Sequence, residues 1–436
     1  MSKQGTEAPD QPMPGKALKE LFGQSHDRGR AGLPVMSLSM GRGLVPRNQD
    51  ERRVETNLSD EQHRLVRAGE LAYNMMRMWQ GVCGLAEEDC LISPAYVVVR
   101  PLNGMDPKFS EYLLTYEETV AKFKLLSFGV VDDRLRLYFK DFERVRVRIP
   151  SPQAQRKIAR ILTMLDNLIH KTEALITKYQ AIKQDMMHGL FTRGVDAHGH
   201  LRPPQSEAPD LYKQSELGSI PREWEVAPLG DCLASIDAGW SSDCIEQPPP
   251  LGEWGVLKVS AITSGEYMAE ESKTLPGHLH PYPSMEVRAG DVLLARSNGV
   301  AELVGVTAQV DETRDKLVLS DKVLRLNPVT ERLHSSFLAL TMKTYYTRKQ
   351  VGQVISGSSG QRNISQAEIR NLLVVIPPLE EQECISSVLH SAQSQLHREM
   401  KVVAQLKQIK AGLMQDLLTG KVRVRVDDSE EADSHG

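Results

Sequence analysis

Two stretches of the chain change their hydrophobic period at the same kind of boundary. In RVRVRIPSPQAQRKIARIL (144–162) and NLLVVIPPLEEQECISSVL (371–389), a short strand-like pattern ends at proline and gives way to a charged helical start. Laying Ile149 on Ile376 and continuing without a gap pairs Pro150 with Pro377, Gln155 with Gln382, Ile158 with Ile385 and Leu162 with Leu389. The same register pairs His170 with His397, Lys183 with Lys410, Met187 with Met414, Leu190 with Leu417 and Thr192 with Thr419. So long a constant offset marks two copies of one unit. Apolar residues recur in each copy at heptad-like spacing. They are Ile158, Ile161, Leu165, Leu168, Leu175, Tyr179, Ile182 and Met186 in the first, and Ile385, Val388, Ala392, Val402, Leu406, Ile409 and Leu413 in the second. Polar Thr172 and Glu399 interrupt both stripes at the same place. Proline stands at each start and Gly194 or Gly420 beyond each end. The pattern predicts two long helices that bury their stripes on each other. At their joints, Glu380, Glu381 and Glu383 suit the positive end of the helix dipole, and Gln155 and Gln382 suit hydrogen bonding to the turn.

Upstream of each helix the pattern is mixed. VRAGELAYNMMRMWQGVCG (66–84) aligns without gaps on VRAGDVLLARSNGVAELVG (287–305), and CLISPAYVVVRP and LVLSDKVLRLNP follow at corresponding places as short alternating strands. The expected architecture is therefore α/β (α+β) and repeated about a pseudo-two-fold. A first module covers 1–148, a long helix 149–194, a linker 195–222, a second module 223–375, a second long helix 376–420, and a disordered acidic tail 421–436. The two helices are expected to form an antiparallel coiled coil. A helix of about 36 residues is roughly 55 Å long.

The bulk numbers narrow the class. A chain of 436 residues suits two or more domains, and 40% hydrophobic with 25% charged residues is the composition of a folded soluble protein. No apolar run reaches membrane-span length and the polar start has no signal-peptide core, so a cytoplasmic location is expected. Cys83, Cys90, Cys232, Cys244 and Cys384 lie far apart with no CxxC, which points to reduced thiols rather than zinc or disulfides. A net charge of -4 leaves room for local basic faces only. His198 and His200 lack a third ligand and read as a solvated loop. GxxxxGK[ST], GxSxG and HExxH are all absent, and no stretch resembles the Asn/Asp-Pro-Pro-aromatic signature of an adenine methyltransferase, so catalysis by this chain is not expected.

What remains is polar and aromatic side chains at corresponding places of the two modules. AYNMMRMWQG gathers Tyr73, Asn74, Arg77, Trp79 and Gln80, and LLARSNG supplies Arg296, Ser297 and Asn298. Arginine has the donor geometry for guanine edges, and asparagine or glutamine for adenine. The same residues would serve equally in a structural turn that satisfies backbone groups. A second candidate is GSSGQRNIS (357–365), where glycines permit close approach to a phosphate and Ser358, Gln361 and Arg362 can donate to it. Its counterpart in the first module carries Gly129, Arg134 and Arg136.

IPPLEEQECISSVL, IPSPQAQRKIARIL, the tract LFTRGVDAHGHLRPPQSEAPDLYKQSELGSIPREWEVAPLGD, YNMMRMWQG with ISPAYVVVRP, and RSNG with ELVG together resemble the specificity subunits of type I restriction-modification systems. The resemblance spans nearly the whole chain. It implies a non-catalytic subunit whose two target-recognition domains each read half of a split, asymmetric double-stranded DNA sequence. It also implies a scaffold for two methyltransferase subunits and for restriction subunits that act as translocase-endonucleases. S-adenosylmethionine, ATP and Mg then belong to those partners, with no cofactor in this chain. The first module departs from the pattern in lacking a clear counterpart of IPREWEVAPLGD, for which GKALKELFG is the stand-in. The competing class is a repeat adaptor that bridges proteins through its helices without touching DNA. Neighbouring methyltransferase and helicase-type reading frames would separate the two.

Overall fold

The strand patterns form a four-stranded sheet in each half of the molecule, beside smaller two- and three-stranded ones. The computed structural model describes residues 15–47, 58–129, 135–240, 243–357 and 360–425. Arg134, Ser358 and the acidic residues 426–436 lie outside them. The chain divides into two compact units, one made of Met1–Ala174 with Met400–Gly436, the other of Leu175–Glu399.

In the first unit a four-stranded antiparallel sheet runs in the order Phe22–Ser25, Tyr96–Pro101, Leu71–Asn74, Cys83–Leu85. The second unit repeats the order and sense with Leu233–Ala238, Val323–Pro328, Val292–Ala295, Thr307–Gln309. Leu71 faces Val99 and Leu85 across the sheet, as Val292 faces Leu326 and Gln309. The expected alternation of apolar and polar residues does not hold in the central strands. Leu71, Tyr73, Val97 and Val99 join one buried cluster while Ala72 and Val98 join another, so both sheet faces are covered and both must be apolar. Val292, Leu294 and Leu324 against Leu293, Ala295 and Val323 repeat the arrangement.

GKALKELFG does open the first module. Gly15–Ala17 pairs antiparallel with Arg146–Arg148, as Glu225–Pro228 pairs with Leu373–Ile376. In each unit the second strand of that pair feeds a long helix, Pro152–Thr192 or Leu379–Thr419, each of 41 residues and therefore about 60 Å long. Gly194 and Gly420 close them at φ 64° and 75°, conformations that favour glycine.

The helices pair antiparallel. In the first unit Lys410 Nζ meets Asp166 Oδ1 at 2.5 Å and Lys407 Nζ meets Glu173 Oε1 at 2.7 Å, so partner positions run in opposite directions. In the second unit Lys183 donates to Gln393 Oε1. The buried rows agree with the predicted stripes at their starts and part from them farther along. Ile158 and Ile385 are buried as expected, with Leu162 and Leu389, in the core clusters of the modules. Beyond them Ile169, Thr172, Leu396 and Val403 are buried, whereas Leu168, Ile182, Val402 and Ile409 are exposed. A strict heptad pattern drifts around a helix of 3.6 residues per turn, so neighbouring rows both satisfy the spacing and only the packed partner selects one. Buried Thr172 settles its hydroxyl on the Leu168 carbonyl at 2.8 Å.

Each joint between strand and helix is clamped by its glutamine. Gln382, fully buried, donates from Nε2 to the carbonyls of Pro377 and Arg332 at 2.8 and 3.0 Å, and its Oε1 accepts the His334 amide at 3.0 Å. Gln155 does the same with the Pro150 carbonyl and the Asp106 amide, at 3.0 and 2.9 Å. The glutamine thus ties the strand's exit to the start of the short helix that packs on the sheet, Pro107–Thr115 or Ser335–Thr341.

The linker tract 195–222 leaves His198 and His200 exposed, as expected, but is ordered by local bonds. Asp196 Oδ1 accepts the His198 and His200 amides, and Tyr212–Ser215 pairs with Gly218–Pro221. Glu381 anchors this strap. Its Oε1 accepts the Val195 amide at 2.7 Å and a donor from Arg202, and its Oε2 accepts Trp224 Nε1 at 3.0 Å and Arg202 Nη2 at 3.1 Å.

Candidate nucleic-acid interface

The central strand of each sheet ends in a turn, and the turn is held by an asparagine. Asn74 Oδ1 accepts the Met76 amide at 3.0 Å, and Asn298 Oδ1 accepts the Val300 amide at 3.0 Å. A short 3-10 turn follows in both, Met78–Gln80 and Ala301–Leu303, before the chain returns as the neighbouring strand. The second unit carries extra residues here, so the gapless alignment of the two segments fails beyond the strand. The two-residue strand Ser297–Asn298 lies within this longer segment.

A hairpin is pinned against each turn. In the first unit Phe128 and Arg136 bridge antiparallel, and the Leu137 amide donates to the Met75 carbonyl at 2.8 Å. In the second unit Ser356 and Asn363 bridge antiparallel, and the Ile364 amide donates to the Arg296 carbonyl at 3.0 Å. The fold therefore brings the second unit's two candidate segments together. Ser297 pairs with Asn363 and Asn298 with Arg362. Because side chains alternate along a strand, Arg296, Asn298 and Arg362 share one face of this ribbon, opposite Ser297 and Gln361. The Gln361 Nε2 donates to Ser297 Oγ at 3.1 Å across that opposite face. Neither the Arg296 nor the Arg362 guanidinium has a hydrogen bond or ion pair among the described residues, and both are partly exposed.

Two of the expected contact residues are turned inward. Tyr73 is 0% exposed and its ring stacks on Phe142 at 5.2 Å between centroids. Burial, reinforced by Cys83 and Asp141, pushes its phenol well above the ordinary value. Tyr73 is thus a core residue: the strand alternation that sends Leu71 into the buried cluster with Val97 and Val99 sends Tyr73 with it. Ser297 is 4% exposed and serves the ribbon internally. In the first unit, Arg77 donates to Gln80 Oε1 at 3.0 Å, and Trp79 Nε1 donates to the Met76 carbonyl at 2.9 Å. Both bonds brace the turn on which Arg77 and Gln80 sit.

Sequence reasoning named Trp79 and Arg136 but missed the Lys124, Phe128, Tyr138 and Lys140 side chains grouped with them beside that turn. Lys124 Nζ lies 5.9 Å from the Trp79 ring centre, Lys140 Nζ lies 6.0 Å from that of Tyr138, and Phe128 is 59% exposed. Exposed Arg136 has no side-chain partner among the described residues. The interleaving of Lys and aromatic residues in KFKLLSF and RLRLYFK was the available signal. No group of three His, Cys, Asp or Glu among the described residues is placed to hold a metal ion. No helix among them is long and apolar enough to cross a membrane.

Comparison with known proteins gives one consistent set of relatives. The family model described as "Type I restriction modification DNA specificity domain" matches residues 76–180 and 221–408. The EcoEI type I restriction enzyme specificity subunit of Escherichia coli is 35% identical over 176 residues, which are 40% of this chain and only 30% of that relative's length. The MjaVIII specificity subunit of Methanocaldococcus jannaschii is 28% identical over 333 residues, 74% of this chain and 71% of the relative. Among solved structures, the type I restriction-modification S subunit from M. genitalium shares the fold. That match has a TM-score of 0.57 at 14% identity and spans 96% of this chain and 99% of the other.

Proposed function

Because the chain belongs to the type I restriction-modification DNA specificity family, we propose that it selects the DNA sequence on which a modification and restriction complex acts. Each unit reads one half of a bipartite, asymmetric target through the turn after its central strand and the hairpin pinned to it. The observation that carries this is that Arg296 and Arg362, neither with a hydrogen bond or ion pair among the described residues, share one face of the second unit's ribbon. Uncompensated guanidinium groups on a braced backbone are suited to guanine edges and phosphates. In the first unit, Asn74, Arg77, Gln80, Lys124 and Arg136 take the corresponding role.

The chain itself does no chemistry in this reading and needs no cofactor. Methyltransferase subunits, two per chain, supply S-adenosylmethionine-dependent adenine methylation, and restriction subunits supply ATP- and Mg-dependent translocation and cleavage, all in the cytoplasm. Exposed Met164, Leu168, Val402 and Ile409 on the long helices offer apolar surface for such partners.

The test is to map methylated adenines in cells that carry the methyltransferase subunit with the wild type or with Arg296→Ala plus Arg362→Ala. The variant is expected to relax the second half-site, with about 1–3 kcal/mol of discrimination lost per bidentate contact. The first half-site should remain intact. An unaltered methylation motif would return both arginines to a structural role.

A further inference from the structure

Arg348, on the helix Tyr345–Val354, reaches across to the turn of the second unit. Its Nη2 donates to the Glu302 carbonyl at 2.7 Å, inside the short 3-10 turn that follows Asn298. Its Nη1 is buried and has no hydrogen-bond partner among the described residues. The group lies over Gly305, where an added Cβ would stand 3.2 Å from Nη1 and 2.9 Å from Val351 Cγ1. Gly305 in turn donates its amide to the Ala295 carbonyl at 2.7 Å, closing the loop that carries Arg296. One side chain therefore holds the returning arm at Glu302 and Gly305, and the Gly305 amide ties that arm to Ala295 beside Arg296.

The first unit solves the same packing problem without a charge. There an added Cβ at Gly81 would meet Val120 Cγ2 at 3.2 Å, so valine covers the returning glycine, and the Trp79 indole holds the turn's carbonyl. Packing alone thus requires only an apolar residue at this place. A guanidinium there is costly, because burial lowers its affinity for its proton and no carboxylate among the described residues compensates it. A costly group where a neutral one suffices for the fold marks a constraint other than stability.

We propose that Arg348 is a positioning residue for sequence recognition by the second unit, fixing the turn so that Arg296 and Arg362 meet the second half-site in one orientation. This rests on the reading of the turn given above. Arg348 does not itself contact DNA. Its effect is confined to one half of the target, because the first unit has its own brace.

The experiment compares Arg348→Met, Arg348→Lys and the Arg296→Ala, Arg362→Ala pair in the full chain with its methyltransferase subunit. It reads the methylated motif together with thermal unfolding. Arg348→Met is expected to leave the unfolding temperature unchanged or raised, to lower discrimination at the second half-site about tenfold, and to leave the first half-site alone. Arg348→Lys, which can still donate to Glu302, should recover part of that discrimination. A lower unfolding temperature with reduced methylation of an unchanged motif would make Arg348 purely structural and overturn the inference. An unchanged motif in Arg348→Met beside a relaxed one in the arginine pair would overturn it while sparing the proposed function. An unchanged motif in both would overturn the two together.

Discussion

Replacing Glu381 by alanine will destabilise the second unit by about 3–5 kcal/mol in denaturant-induced unfolding. The carboxylate is 7% exposed and the Arg202 guanidinium 11%. Its removal leaves Arg202 with Glu223, whose side chain is 70% exposed, as its one carboxylate among the described residues, and strips the Val195 amide and the Trp224 indole of their acceptor. Arg202→Ala will cost a similar amount for the mirror reason, a buried carboxylate left without its cation. The double change Glu381→Leu with Arg202→Met should cost much less than the sum, because no charge is then left buried. Additive losses would show that the two groups are not coupled.

The second large effect belongs to the joint glutamines. Gln382→Ala leaves the His334 amide and the Arg332 and Pro377 carbonyls unpaired around a fully buried site, a loss of roughly 2–4 kcal/mol. Gln155→Ala removes a smaller set, the Asp106 amide and the Pro150 carbonyl, and should cost less. Hydrogen exchange locates the damage. The His334 amide should lose protection in Gln382→Ala and the Asp106 amide in Gln155→Ala, each without the other. Equal exchange at both amides in either variant would contradict a local clamp.

What the sequence reveals and what it conceals divide along physical lines. The duplicated joint, the long helix pair and the mixed modules are legible because they rest on local periodicity and on identities at constant offset, such as Gln155 with Gln382. The seam is not, since Leu168 and Ile169 both fit a heptad and only the partner helix decides that Ile169 is buried. Tyr73 looks like an interface residue for want of knowing that both faces of its sheet are covered. The contact of Gln361 with Ser297 joins residues 64 apart, and the Glu381 hub joins residues as much as 186 apart. No local pattern encodes either. The first unit's basic and aromatic group was visible as interleaved residues, but only the hairpin of Phe128 with Arg136 shows which turn it flanks.

Each long helix begins in one unit and ends in the other, and this bears on the order in which a ribosome delivers finished parts. The second unit is contiguous, Leu175–Glu399, so it has every residue it needs once that span has emerged. The first unit also draws on Met400–Gly436. Leu417 and Leu418 fill the same buried cluster as Ile158 and Leu162. The half of the protein that is translated first is thus the last that can close. Until Met400–Gly436 has emerged, its share of the first helix stands with an apolar face uncovered, the part of a nascent chain most exposed to mispairing and to chaperones.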